Sequence, residues 1–79
     1  MDTALPLLLP LPSNDDTLIP AAELPNYVGI AAQTLARWRH EGQGPAFVKL
    51  GRLILYRAGD VRRWVSDQTR RNTIYKGGT

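Results

Sequence analysis

Ala31-Ala32-Gln33-Thr34-Leu35-Ala36-Arg37-Trp38-Arg39-His40-Glu41, followed at once by Gly42, is the stretch on which the reading of this 79-residue chain turns. It reads as one short helix over residues 31–41. Leu35 and Trp38 stand three apart and share a face. Gln33, Thr34, Arg37 and His40 fall mostly on other faces; they are hydrogen-bonding or cationic, and none is acidic. Gly42 supplies the stop. A narrow apolar stripe backed by a donor-rich face suits the major groove of a duplex. Amides and guanidinium groups there read base edges, and arginines hold phosphates. An ordinary surface helix has the same pattern, so the flanking residues must decide.

Downstream, Gln43-Gly44-Pro45 is a turn cluster. Residues 47–56, FVKLGRLILY, are rich in β-branched and aromatic side chains and are interrupted once, by Gly51-Arg52. That is a hairpin signature, with strands expected at about 47–50 and 53–57. A β-ribbon with Lys49 near its tip and Arg52 at it is a candidate wing, whose cations can rest on phosphates or enter a minor groove. The same hairpin can also simply cover the core, its charges keeping an edge soluble.

Upstream, the folded part is expected to begin near Leu18, with Pro20 in the first turn of a helix where its missing N–H costs little. That helix carries Ala21, Ala22, Glu23 and Leu24 and ends before Gly29. Leu24, Tyr27 and Val28 are spaced for one buried face. Pro25 in its interior would leave the carbonyl of Ala21 unpaired, so the helix is expected to be short or bent there. Gly29 allows the tight turn onward, which gives helix, glycine turn, helix.

A last helix is expected from Ala58 or Gly59. Asp60 lies in its first turn, where a carboxylate suits the dipole. Val61, Trp64 and Val65 form its core stripe, with Arg62 and Arg63 beside it facing solvent. Arg70 and Arg71 at its end serve the dipole or touch phosphate. The expected organisation is therefore a flexible leucine- and proline-rich arm (1–17), one domain (18–71) and a loose basic tail (72–79). The arm is either a leader or a docking segment. Trp38, Trp64, Phe47, Tyr56, Tyr27, Leu35 and Val61 suffice for one small core, marginal but feasible in roughly 55 residues.

There is no cysteine, hence no disulfide and no thiolate metal site. His40 is the single histidine and reads as a solvated helix residue. No apolar run is long enough to cross a bilayer, and the apolar start lacks a basic region and is broken by prolines, unlike a secretory signal. The net charge of +3 hides a gradient. Residues 1–29 hold Asp2, Asp15, Asp16 and Glu23 and no Lys or Arg, a net −4. Residues 30–79 hold all ten Lys and Arg against Glu41, Asp60 and Asp67, a net +7. So basic a half favours a polyanionic partner, through counterion release. Paired catalytic carboxylates, a cysteine nucleophile, a phosphate-binding glycine loop and a metal set are all missing, so no enzyme is expected.

As an ordered set, Tyr27-Val28-Gly29-Ile30, Thr34-Leu35 with Arg37-Trp38, Gly42 with Gly44-Pro45, Phe47-Val48-Lys49-Leu50-Gly51-Arg52, Tyr56-Arg57, and Asp60-Val61 with Trp64-Val65 resemble the small winged helix-turn-helix proteins of the excisionase family. Members of that family, related in fold to the MerR DNA-binding domain, include recombination directionality factors and small transcriptional regulators. The resemblance implies an α+β winged helix-turn-helix: two N-terminal helices, a β-hairpin wing and a C-terminal helix. It implies a DNA-binding role with no catalytic activity, and neither a cofactor nor a metal is expected from the residues present. Gln33, Thr34 and Arg37 match base- or backbone-facing positions and Arg39 a phosphate position. Lys49 and Arg52 match the wing, and His40 completes the expected DNA-binding set. Ala31 stands where the family usually caps with Ser or Thr, and Ala32 where it usually has Pro; a lost hydroxyl cap costs about 1 kcal/mol. Gln33 replaces a frequent Arg, which shifts base preference from guanine towards adenine.

Two roles share those contacts. One is an excisionase that binds repeated sites on double-stranded DNA, self-associates cooperatively, bends the DNA and helps a tyrosine recombinase (integrase) excise a mobile element. The other is a small transcriptional regulator. A protein-interaction module is the reading from another class. The expected setting is cytoplasmic and nucleoid-associated, with no membrane partner.

Overall fold

The computed structural model describes residues 8–77, with side chains to Arg71. The order is β1 (Leu18–Pro20), α1 (Leu24–Val28), α2 (Ala32–Glu41), β2 (Val48–Leu50), β3 (Leu53–Arg57) and α3 (Ala58–Gly77). This is the expected α+β winged helix-turn-helix, with one addition: the sheet has three antiparallel strands in the order β1-β3-β2. Ile19 pairs with Tyr56 and Pro20 with Leu55, while Val48 also faces Leu55 and Leu50 faces Leu53.

β1 corrects the expected start of the first helix. Pro20 closes a strand, and the N–H of Ala21 still donates to the carbonyl of Ile54 at 2.9 Å. The chain then turns, with the N–H of Glu23 on the carbonyl of Pro20. α1 begins only at Leu24, so Pro25 lies in its first turn. There the missing N–H is one that no helical carbonyl would have accepted, and Pro25 starts the helix instead of bending it. Gly29 ends α1 in the left-handed region (φ 72°) with its N–H on the carbonyl of Pro25.

Ala31 caps α2 by its backbone alone; its carbonyl accepts from the N–H of Leu35 at 3.0 Å, and no side chain assists. Gly42 stops α2 at φ 75°. α3 follows β3 with no connecting residue. Its first N–H groups are satisfied from far away in sequence: Ala58 donates to the carbonyl of Thr17 at 2.9 Å and Gly59 to that of Asp15 at 3.0 Å. Residues 14–17 form a side-chain-assisted turn, the N–H of Asp16 donating to Oδ1 of Asn14 at 2.8 Å. Arg62, expected to face solvent, bonds to the Asp15 carboxylate and the Pro12 carbonyl. The described part of the arm, residues 8–17, therefore runs along the domain, and Leu8 donates its N–H to the carbonyl of Tyr27. The first seven residues of the expected arm lie outside the described residues, as do the last two of the expected tail. α3 continues past Arg71 to Gly77.

Ile19, Leu24, Val28, Leu35, Tyr56, Ala58, Val61 and Val65 make the core. Trp38, Trp64 and Tyr27 are only partly buried and pack against it, and Phe47 is 40% exposed. These four were expected inside. The small side chains of Ala58 and Val61 leave the centre to Tyr56 and the aliphatic residues, and the large indoles seal the rim. The two indole rings meet at 5.9 Å with a 52° tilt.

Candidate nucleic-acid interface

On α2, Gln33, Arg37 and His40 follow i, i+4, i+7 spacing and all three are exposed. They share the face opposite Leu35, which anchors the helix in the core with 1% exposure. Thr34 is half-buried on the flank. The guanidinium of Arg37 stands 3.9 Å from the Glu41 carboxylate one turn on, with both side chains largely in solvent. Such a pair is weak and exchanges readily for another anion.

Arg39 occupies the flank nearer the core. Its Nη1 donates to the hydroxyl of Tyr56 at 2.8 Å, and its guanidinium lies 5.9 Å from the ring centroids of both Phe47 and Tyr56. Those rings meet edge-on at 6.4 Å. Tyr56 is fully buried, and a buried phenol needs a partner for its hydroxyl. Arg39 supplies it, and so fastens α2 to β3. The expected phosphate position is thus also a structural one. The remaining guanidinium donors are not used by Tyr56.

On the hairpin, Lys49 pairs with Ile54 on the sheet face that also carries Ile19 and Tyr56, yet Lys49 is exposed. The ribbon therefore reaches past the packed helices. Gly51 takes φ 61° at the first position of the two-residue turn, as primed hairpin turns require. Arg52 follows it at the tip, exposed. Among the described residues, Arg57, Arg62 and Arg63 are matched by Asp16, Asp15 and Asp60, whereas neither Lys49 nor Arg52 is ion-paired. Sequence reasoning placed the α2 and wing residues but missed the tie of Arg39 to Tyr56. The signal was a tyrosine in a strand otherwise bound for the core.

No group of three or more His, Asp or Glu side chains gathers as a metal site among the described residues. No helix among them is long and apolar enough to cross a membrane.

A helix-turn-helix whose second helix presents a donor-rich face, followed by a β-ribbon with unmatched cations, defines a winged helix-turn-helix protein. The chain belongs to the helix-turn-helix domain family, whose profile matches residues 21–69, from the turn before α1 into α3. No curated protein and no solved structure matches it. The helix-turn-helix is a DNA-binding motif, so family and fold point to DNA as the partner.

Proposed function

We propose that this protein is an excisionase-like architectural DNA binder. α2 enters the major groove, where Gln33, Thr34, Arg37 and His40 meet bases and backbone. Arg39 contacts phosphate with the donors that Tyr56 leaves free, and Lys49 and Arg52 bring the wing to the adjacent backbone. Copies bind neighbouring repeats cooperatively, bend the DNA, and favour excision by a tyrosine recombinase.

The observation that carries this reading is electrostatic. Among the described residues, Glu41, Asp16, Asp15 and Asp60 stand against Arg37, Arg57, Arg62 and Arg63, while Lys49 and Arg52 of the wing have no carboxylate partner. A lone module covers roughly 600–1,000 Å², too little for high specificity, which is why repeated sites are proposed.

The test is a gel-shift titration on one repeat and on three, taken from the attachment region of the host element, at two salt concentrations. The proposal expects tighter binding per repeat on three and a steep loss with salt. Equal affinity per repeat removes the cooperative model. Binding insensitive to salt removes the DNA interface itself, because each phosphate neutralised contributes about −0.9 to the slope.

A further inference from the structure

Two leucines flank the tip of the wing. Leu50 and Leu53 are register partners across Gly51-Arg52 and therefore share one face of the sheet. They are 52% and 62% exposed. Val48 and Leu55, half-buried, stand behind them on the same face. A Cβ on Gly51 would meet nothing within 4 Å, so the tip is open as well as narrow.

Single exposed leucines need no explanation. A cross-strand pair at the end of a ribbon that carries one uncompensated cation in its turn, Arg52, and another on its opposite face, Lys49, is a different matter. The apolar area alone would suit a protein surface as well as a groove. The cations break the tie. No acidic residue occurs between Ala46 and Gly59, and no described carboxylate answers Lys49 or Arg52. The tip is thus complementary to a polyanion, with Arg52 in the turn between the leucines and Lys49 on the opposite face of the ribbon, where each can meet a phosphate strand flanking the groove. A minor groove meets both requirements: its phosphates take the cations, and its base steps accept apolar side chains that unstack and kink the duplex.

We propose that Leu50 and Leu53 form a wedge that enters the minor groove at the wing contact and kinks the DNA there. This rests on the DNA-binding reading above and adds a bending mechanism to it. The wedge acts best at steps that unstack easily, so it favours pyrimidine–purine steps such as TA or CA at that point without any hydrogen bond to a base.

The test uses the full chain and an attachment-region duplex carrying a fluorescent donor and acceptor at its ends. Binding and bend angle are read together for the parent, Leu53→Gln, and Leu50→Ser with Leu53→Ser. Because both leucines are largely exposed, the variants are expected to melt with the parent, and Leu53→Gln alone decides the question should the double variant not fold. The expected result is a parent bend within the range of single wedges, about 20–90°. The variants lose most of that bend, bind less than about tenfold more weakly, and keep the salt slope of the parent. Variants that bend the duplex as the parent does overturn the wedge while leaving DNA binding intact. A parent that binds no duplex overturns both readings. Sedimentation without DNA supplies the remaining outcome: a dimer of the parent that Leu53→Gln dissolves would assign the leucines to a second copy of the chain, and the wedge would be wrong.

Discussion

Gly59→Ala isolates the contact between the N-terminal turn and α3. A Cβ at position 59 would lie 2.7 Å from Cβ and 2.9 Å from Cγ of Asp15, and 3.3 Å from its backbone oxygen. These atoms are at or near the main chain, so a side-chain rotation cannot relieve the overlap. The turn must lift, and two backbone hydrogen bonds go with it, from Gly59 to Asp15 and from Ala58 to Thr17. At about 0.5–1.5 kcal/mol net for each, the loss is about 1–3 kcal/mol. The ion pair of Arg62 with Asp15 adds little, since both side chains are substantially exposed. Alanine returns up to about 1 kcal/mol of helix propensity, less in a first turn. The net expectation is a destabilisation of about 1–2 kcal/mol, or a melting temperature lower by about 5–15 °C for a domain this size. Thermal unfolding followed by far-UV circular dichroism measures it. The control is built into the sign. Were the turn not seated on α3, the same substitution would stabilise the helix, so an unchanged or raised melting temperature refutes the reasoning.

The other expectations concern the helices and the wing. Arg37→Ala should weaken specific binding by about 1–3 kcal/mol without changing the melt; nuclease protection equal to that of the parent would remove Arg37 from the base contacts. Arg52→Ala should weaken all DNA sequences alike and reduce the salt slope by about one counterion, and a slope that stays put in gel shifts would mean the wing tip touches no phosphate. Pro25→Ala should cost about 0.4–1 kcal/mol, because a well-placed proline restricts the unfolded chain; a large gain in denaturant stability would instead reveal a strained helix interior. Trp64→Ala should cost about 2 kcal/mol, less than the 3–5 kcal/mol of a fully buried tryptophan, and a loss at or above that upper range would place the indole in the core and not on its rim.

The parts of the fold that were legible in the sequence are those fixed by neighbours in the chain. α2 is bounded by Gly42, and the hairpin is bounded by Gly51, each in the left-handed conformation that its position demands. β1 was not legible. It spans three residues, and its pairing with β3 joins positions far apart in the chain. Within so short a stretch no period can show, and Pro20 reads equally as the start of a helix or the end of a strand. Misreading Pro20 then displaced Pro25 into a helix interior. The core followed the same divide. Leu35, Val61 and Val65 betray themselves by helical spacing, but whether Phe47 or Trp64 is sealed depends on what crosses above it. Arg39 was legible as a cation and not as a structural group, because its partner Tyr56 is seventeen positions away.

The bond from Arg39 to Tyr56 makes a ruler of this domain. It ties the helix proposed for the major groove to the strand that carries the proposed wing, so the span between their contacts belongs to the protein and not to the DNA. One base pair inserted between the two contact points would carry the second about 3.4 Å along the axis and about 35° around it. A jointed molecule could follow that displacement; a riveted one must release one end. Under the proposed docking, the length of a half-site is set by an arginine and a tyrosine, neither of which needs to touch a base to set it.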